Sequence, residues 1–435
     1  MSKITRTLLI LFIILLAGCN RPPPEPKQLP TKTQEIPQTP PTDTEIPPTQ
    51  GNTPFPTFTP TDEPEQPGPP TEQPWQPPGG DPIPLYLAGE KITLHKIQMI
   101  DQLIGWSIAV SDSDTEHILR TEDGGYKWQD ITPPQPLADT GTRLTVNGAF
   151  WDEGIAWVSY TGSDIVWATK DGGATWQAAP LDYETLSGSL FTVQDENHAW
   201  MFQFLDAGMQ KVFTVLYQTS DGGTSWEKLL EPNTDINIQG FDKTGAAFVN
   251  PQYGWLTRDF RGVQPQVELN LTHDGGLTWE DIDIPEPPSA PEIFSNPSCA
   301  CGLYDPVLVS TLEGSTHLSC SCYEDDQQPE RDYLYRTNDG GETWEIWEAP
   351  DGDFVYINDQ IIYALSRDIY RSEDGGESWQ MVKTVNWDGQ FSFIDRDTAW
   401  IIAINGDEYA LVKTSNGCDS FIEIKPEVIS SQSIR

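Results

Sequence analysis

Carboxylates recur at one position of a repeated octapeptide, and they are the side chains of this sequence best suited to binding a cation or exchanging a proton. The pattern is Thr-x-Asp-Gly-Gly-x-x-Trp, with Ser as the first residue of the last full copy. The copies span residues 121–128, 169–176, 219–226, 272–279, 337–344 and 372–379. Their acidic residues are Asp123, Asp171, Asp221, Asp274, Asp339 and Asp374. A degraded seventh copy spans 414–421, where Asn416, Cys418 and Phe421 replace Asp, Gly and Trp.

The octapeptide has the composition of a tight turn. Gly-Gly adopts positive φ at little cost, and an Asp side chain accepts hydrogen bonds from nearby backbone N–H groups. Strand-like residues precede the copies, such as Val215 to Gln218, and a second strand is expected after each one. Since each carboxylate belongs to a different hairpin, the six cannot converge on one ion. We therefore predict turn-capping carboxylates, with no metal site, no cofactor and no catalytic role.

The spacing of the copies predicts the fold. Their acidic or amide residues are 35 to 65 residues apart, and self-similarity at about 40 to 50 residues is typical of propeller blades. A Gly-Trp or Ala-Trp pair occurs at 105–106, 156–157, 199–200, 254–255 and 399–400. We predict an all-β chain with a single β-propeller at 82–435, most simply of seven four-stranded blades, with six or eight blades as the alternatives. The last strand is expected at Phe421 to Ile424, and Leu85 to Leu87 is the candidate for closing the ring.

The octapeptide resembles the Asp-box, S/T-x-D-x-G-x-T/S-W, of BNR-repeat propellers, which occurs in sialidases, sortilin-type receptors and xyloglucanases. Together with the Gly-Trp and Ala-Trp pairs, it looks most like the YCF48-type propellers, whose best-known members assist photosystem II assembly. The resemblance covers about residues 85–427. It implies the propeller fold and leaves function open, because the same turn occurs in receptors, assembly factors and hydrolases.

The resemblance also supplies the alternative function, a glycoside hydrolase. Sialidases use an arginine triad, a Tyr nucleophile and an acidic partner, but their Arg-Ile-Pro motif is missing here. Arg120, Arg336 and Arg371 each directly precede an octapeptide, where a structural role is expected. Xyloglucanases need two carboxylates across a cleft and resemble two propellers in tandem, whereas one is predicted here. Since the sequence has no H-E-x-x-H, P-loop, G-x-S-x-G or Rossmann motif, we predict a non-enzymatic binding module.

The N-terminus has the features of a bacterial lipoprotein signal. Lys3 and Arg6 precede the apolar run Leu8 to Ala17, which is shorter than the roughly 20 residues of a membrane span. Leu-Ala-Gly-Cys at 16–19 resembles a lipobox and predicts lipidation of Cys19; the alternative is an ordinary cleaved signal with an incidental Cys. We predict a signal peptide at 1–18, a disordered Pro/Thr-rich linker at 19–81 and an extracytoplasmic, membrane-anchored protein.

Four cysteines between the fourth and fifth octapeptides form two C-x-C pairs. Alternate residues of a strand share a face, so Cys299 lies with Cys301 and Cys320 with Cys322. An antiparallel pairing in register sets Cys299 opposite Cys322 and Cys301 opposite Cys320. An oxidising compartment favours two disulfides, whereas the alternative is a four-thiolate zinc site, which more often shows C-x2-C spacing. Cys418 is expected to be a buried free thiol.

A net charge of −41 limits the partners. Nucleic acid is not expected, because phosphate binding requires a basic face.

Eleven of the 16 Trp belong to the octapeptides or to the Gly-Trp and Ala-Trp pairs and are expected in the core. Arg258 and Arg261 are placed in an extended loop that could meet a partner. We predict a monomer that binds a protein or glycan at the cell surface and contacts the membrane only through its lipid. The candidate surface aromatics are Trp151, Trp167, Trp347 and Trp387.

Overall fold

The computed structural model describes residues 79–111, 115–137, 143–208, 211–232, 242–259, 267–322 and 331–430. All repetitive structure in these ranges is β-strand, and none of it is a helix long and apolar enough to cross a membrane. The predicted all-β class is therefore confirmed. The predicted signal peptide with Cys19, the linker up to residue 78 and Arg261 lie outside the described residues.

Within these ranges the strands follow one another in antiparallel groups of four, and we term each group a unit. Units 1 and 2 are β1 (Thr93–Met99), β2 (Gly105–Val110), β3 (His117–Thr121), β4 (Lys127–Asp130), β5 (Val146–Phe150), β6 (Ala156–Tyr160), β7 (Ile165–Thr169) and β8 (Gln177–Pro180). Units 3 and 4 are β9 (Ser189–Val193), β10 (Ala199–Gly208), β11 (Lys211–Thr219), β12 (Glu227–Leu230), β13 (Asp242–Phe248), β14 (Gly254–Asp259), β15 (Glu268–Thr272) and β16 (Glu280–Asp283).

The second half of the chain continues the same order. Units 5 and 6 are β17 (Cys299–Leu308), β18 (Gly314–Cys322), β19 (Arg331–Thr337), β20 (Glu345–Ala349), β21 (Asp353–Tyr356), β22 (Ile362–Leu365), β23 (Asp368–Ser372) and β24 (Gln380–Thr384). Unit 7 is β25 (Asp388–Phe393), β26 (Thr398–Asn405), β27 (Glu408–Ser415) and β28 (Ile422–Ile424). In every unit the octapeptide forms the turn between the third and fourth strands, as its sequence predicts.

The units form separate sheets except for units 4 and 5, which the pairing of Asp259 with Gly302 joins into one eight-stranded sheet. The last unit lies against the first. Trp400 Nε1 donates to Gly124 O at 2.8 Å, and Met99 N donates to Ser392 Oγ at 2.7 Å. An all-β chain of four-stranded antiparallel units with this contact is consistent with a β-propeller.

The chain end differs from the prediction. A further strand, β29 (Glu427–Ile429), follows Ile424 and pairs in parallel with β4. Val428 is fully buried there, whereas Leu85 and Leu87 are exposed and form no strand. The expectations that the last strand ends at Ile424 and that Leu85 to Leu87 closes the fold are therefore wrong. Burial of the apolar Val428 side chain accounts for the preference for the C-terminal residues at this edge.

A second recurring turn joins the first and second strands of each unit, and its pattern was not recognised in the sequence. We term it the first turn. Its leading polar residue accepts two backbone N–H bonds, as Asp101 does from Leu103 and Ile104 at 2.7 and 2.6 Å. Gly124 of the octapeptide donates its N–H to Leu103 O at 2.8 Å, which fastens the two turns of the unit together. The equivalents of Asp101 are Asp152, Asp195, Asn250, Ser310, Asn358 and Asp395.

Aromatic rings fill the junctions between neighbouring units. Trp200 stacks on Phe248, the last residue of the next unit's first strand, with 3.7 Å between ring centroids. Trp106 donates its Nε1–H to Asp152 O of the next unit at 2.9 Å. Among the described units, only unit 5 has no aromatic residue at this position, where Ser315 stands. The ring is the second residue of the second strand, or the third in unit 7, and it is fully buried in Trp106, Trp157, Trp200, Trp255, Tyr363 and Trp400.

Candidate functional site

The octapeptide carboxylates are bonded within their own turns. Asp339 Oδ1 accepts bonds from Thr337 Oγ1 at 2.8 Å and from Thr343 N at 2.9 Å, and Oδ2 accepts from Thr343 Oγ1 at 2.5 Å. Thr337 Oγ1 accepts the N–H of Gly341 at 2.9 Å. Asp123 lacks the hydroxyl bond, since residue 127 is Lys and offers its backbone N–H. The full pattern recurs at Asp171, Asp221, Asp274 and Asp374.

These bonds stabilise the ionised carboxylates. The Thr343 side chain and backbone, together with Thr337, lower the pKa of Asp339 to about 2. At Asp221 partial burial raises the pKa, but the donors of Ser225 outweigh it, so the pKa is lowered overall. Each carboxylate thus serves its own turn. Across the described residues, no group of three or more His, Cys, Asp or Glu is placed to hold a metal ion.

The degraded copy keeps the turn with different chemistry. Asn416 Oδ1 accepts bonds from Thr414 Oγ1 and Ser420 N, both at 3.0 Å. Its Nδ2 donates to Ser420 Oγ at 2.9 Å, so this bond runs opposite to that of an Asp. Cys418 takes the place of a glycine at φ 74° and is buried, and burial raises the pKa of its thiol to about 12. The thiol is therefore protonated and inert at neutral pH.

The paired cysteines lie on the two strands of one hairpin. Disulfides join Cys299 to Cys322 and Cys301 to Cys320, and each pair is directly opposite in the antiparallel register of β17 and β18. The inner pair, Cys301 and Cys320, is buried. The outer pair borders a polar cavity of about 420 Å³. The disulfides therefore cross-link the two strands at the end of the hairpin away from its turn.

Two residues expected to contact a partner are buried instead. Trp167 is 2% exposed and donates Nε1–H to Gln135 Oε1 at 2.8 Å. Arg258 lies in β14 and is 3% exposed, with its guanidinium 3.1 Å from Glu268. The residues after Trp255 continue a strand, so the predicted extended loop does not begin there.

The other candidate aromatics are accessible to different degrees. Trp151 is 42% exposed. Trp387 is half-buried against Phe421. Trp347 is half-buried with the Arg336 guanidinium 5.9 Å from its ring centroid. Arg336 also donates to Asp359 O at 2.9 Å in the next unit, which is the structural role expected from its position before an octapeptide.

A cluster of titratable residues that the sequence analysis missed lies on β17, β18, β19 and β21. Asp305 of β17 has a left-handed backbone with φ 48°, and the register with β18 shifts between Tyr304 and Val307. Pro306 explains the irregularity, because proline has no N–H for the ladder. A left-handed conformation at a residue other than glycine costs about 1 to 3 kcal/mol and is concentrated at functional sites.

The surroundings of Asp305 change its proton affinity. Burial raises the pKa of Asp305 and Asp353 raises it further, while His317 and the backbone of Phe354 oppose the rise. His317 Nε2 is 2.7 Å from Asp332 Oδ1. Asp332 Oδ2 is buried without a hydrogen-bond partner in the described ranges. A carboxyl that holds its proton above the usual range, beside a His–Asp pair, has the composition of a proton-transfer site.

In a second His–Asp pair both carboxylate oxygens accept hydrogen bonds, unlike those of Asp332. His117 Nδ1 lies 2.7 Å from Asp130 Oδ2, and Tyr86 stacks on the imidazole at 3.8 Å. Asp130 also accepts bonds from Tyr86 N at 2.8 Å and from Thr132 N at 3.0 Å. Both Asp130 oxygens are thus in use, and the pair fixes residues 83–87 against unit 1.

No family model and no curated protein matches the sequence. Among solved structures, YCF48 from Cyanidioschyzon merolae is 15% identical, with 77% of this chain and 98% of that chain covered and a TM-score of 0.46. The GH74 enzyme from Niastella koreensis is 12% identical over 76% of this chain and 62% of its own, with a TM-score of 0.32. A puromycin-hydrolyzing peptidase from Mycobacterium tuberculosis is 10% identical over 79% and 56%, with a TM-score of 0.49. The chain spans less than two thirds of the length of the last two proteins.

Proposed function

We propose that the chain is a non-enzymatic surface lipoprotein whose propeller binds a protein or glycan partner. In this proposal residues 1–18 are a signal peptide, Cys19 carries the lipid and residues 19–81 are the tether. The units at 82–435 are seven blades, and the chain acts as a monomer. The octapeptides are the Asp-boxes of a BNR-type repeat.

The observation that carries the proposal is the use of the octapeptide carboxylates inside their own turns. The most frequent acidic motif of the chain builds the frame, as Asp339 shows with three internal bonds. Exposed apolar side chains remain on the connecting turns, among them Trp151, Val309 and Leu312. A rigid frame that presents such residues is suited to recognition. The net charge of −41 favours partners with basic patches.

The test is capture of partners by the mature chain. The lipidated protein, solubilised in mild detergent, is immobilised and exposed to membranes and cell-wall glycans of its own source, with mass spectrometry and a glycan array as readouts. A saturable protein or glycan partner is expected. Cys19→Ser should abolish incorporation of an alkyne-labelled fatty acid and release the protein from membranes. Failure to retain any component in both arms contradicts the binding function.

The alternative, a glycoside hydrolase of the Asp-box class, is favoured by one observation, the cluster at Asp305. Such enzymes use a protonated carboxylic acid and a second carboxylate on either side of the scissile bond. Burial raises the pKa of Asp305, and Asp353 is the nearby second carboxylate. Asp305 would donate the proton to the leaving oxygen, and Asp353 would act on the opposite face of the sugar.

The two functions are separated by reducing-sugar release from cell-wall polysaccharides. The binding proposal expects no turnover above the buffer rate. Turnover that Asp305→Asn removes, and that Asp339→Asn leaves intact, would replace the binding proposal with the hydrolase. Asp339→Asn is the matched control, because it makes the same change of acid to amide in an octapeptide turn. The equivalent turn at 414–421 already holds Asn416 at that position.

A further inference from the structure

The junction between units 5 and 6 lacks the ring that fills the others. Its second strand begins Gly314-Ser315, at the position where five other units have Gly-Trp or Ala-Trp with a buried indole. Ser315 is smaller than an indole and is itself buried, with the Tyr356 hydroxyl of the next unit beside it. A cavity of about 410 Å³ lies here, lined by Ser315, Tyr356, Arg336 and Asn358 among others.

The walls of this cavity keep the two features that hold the Trp106 indole at the junction of units 1 and 2. Tyr356 ends β21, which is the position at which Phe150 ends β5 and stacks on Trp106 with 5.3 Å between centroids. Asn358 is the first-turn residue equivalent to Asp152, whose carbonyl accepts the Trp106 indole N–H. An indole from outside the chain would therefore meet an aromatic face and a backbone acceptor in the arrangement that this fold already uses.

The cavity opens beside exposed apolar surface. Val309 lines it and is 60% exposed, and Leu312 of the same first turn is 56% exposed. Large apolar side chains exposed next to a concave site are typical of docking surfaces. They would contact the segment that carries the indole.

The rim has a net negative charge. Glu313 and Asp359 line the cavity, and both are exposed. Arg336 also lines it, but its Nη2 donates to Asp359 O at 2.9 Å and to Gly375 O at 3.1 Å, so the guanidinium is held against the backbone. Complementary charge therefore requires basic residues next to the docking indole.

We propose that the cavity between units 5 and 6 receives the indole of a tryptophan on a basic segment of a partner protein. The indole stacks on Tyr356, donates its N–H to Asn358 O and places neighbouring Lys or Arg residues beside Glu313 and Asp359. This inference rests on the proposed binding function and narrows it to a protein partner of stated chemistry.

The test uses the full chain and a blocked Lys-Trp-Lys peptide that carries fluorotryptophan, titrated by fluorine NMR. Saturable shifts are expected, with at least about tenfold weaker binding of Glu-Trp-Glu and Lys-Ala-Lys. Ser315→Trp supplies the missing indole from within, so it should abolish binding and raise the unfolding temperature. Ser289→Trp, at an exposed site outside the cavity, should bind as the wild type does. Val309→Lys, also at an exposed site, should weaken binding of the basic peptide without loss of fold.

Three results would overturn the inference. They are the absence of binding to the wild type at millimolar peptide, equal binding by folded Ser315→Trp, and equal binding of the basic and acidic peptides. Failure here is distinct from failure of the binding function. A partner captured equally by wild type and Ser315→Trp removes the indole site and leaves the binding function in place. Absence of any captured partner removes the binding function itself.

Discussion

Replacing Asp221 with Ala tests whether the repeated carboxylates hold their turns. Asp221 accepts bonds from Thr219 Oγ1 at 2.9 Å, Ser225 N at 2.9 Å and Ser225 Oγ at 2.7 Å. A hydrogen bond contributes about 0.5 to 1.5 kcal/mol net, but water reaches this turn and replaces part of the loss. The expected destabilisation is therefore about 1 to 2 kcal/mol, as for loss of a helix cap. Asp221→Asn should cost about 0.5 kcal/mol, since Asn416 supports the same turn.

The assay is the midpoint of urea denaturation at constant m, with partner capture measured on the same samples. Glu227→Ala, at an exposed site on the following strand, controls for removal of a negative charge and should leave the midpoint nearly unchanged. The order wild type, Asn, Ala supports a structural carboxylate. Full stability of Asp221→Ala together with lost capture would refute the reasoning, because the carboxylate would then be a ligand-binding group.

Three further predictions concern the frame. Gly223→Ala should lower the urea midpoint more than Gly406→Ala. Both glycines have positive φ, but only at 223 would the new Cβ meet a neighbour, the Trp157 indole, so equal losses would contradict the junction packing. The lowered pKa of Asp339, about 2, contributes stability that is complete above the unfolded value of about 4 and is lost as the pH falls towards 2. The urea midpoint of the wild type should therefore fall over that pH range, and that of Asp339→Asn should fall less steeply. Parallel declines in the two proteins would show that the Asp339 carboxylate does not contribute to this loss of stability. Thiol titration of the lipidated chain in denaturant should detect one thiol, Cys418, and four more after reduction; five without reductant would exclude the disulfides.

The all-β class and the place of each octapeptide turn could be predicted from the sequence because both depend on local chemistry. Asp-Gly-Gly specifies backbone with positive φ, and both octapeptide glycines have it, as Gly222 and Gly223 show at φ 73° and 86°. The indole positions followed from small-residue–Trp pairs, since the small residue faces a neighbouring strand and the Trp faces the next unit. Such signals lie within eight residues of one another and need no knowledge of the rest of the chain.

The remaining features depend on residues that are distant in sequence. β29 pairs with β4 about 300 residues away, and three residues with a buried Val at their centre carry no distinctive pattern. Arg258 was misplaced because its partner Glu268 lies on the next strand, so the local run of polar residues resembled a loop. The His317–Asp332 pair is likewise formed across two strands. Only the Asp305-Pro306 step offered a local signal, as a strand breaker inside an apolar run.

In a chain of repeated units, departures from the repeat are more informative than the repeat itself. The hairpin of β17 and β18 departs three times: it carries both disulfides, the left-handed Asp305 and Ser315 in place of an aromatic ring. The last two changes weaken the unit, since one strains the backbone and the other removes packing at a junction. The disulfides restrict the unfolded chain and offset part of that loss. This combination of local destabilisation and covalent support is expected where function, rather than folding, determines the sequence. It is the reason for placing both the candidate proton-transfer site and the proposed indole site on this hairpin.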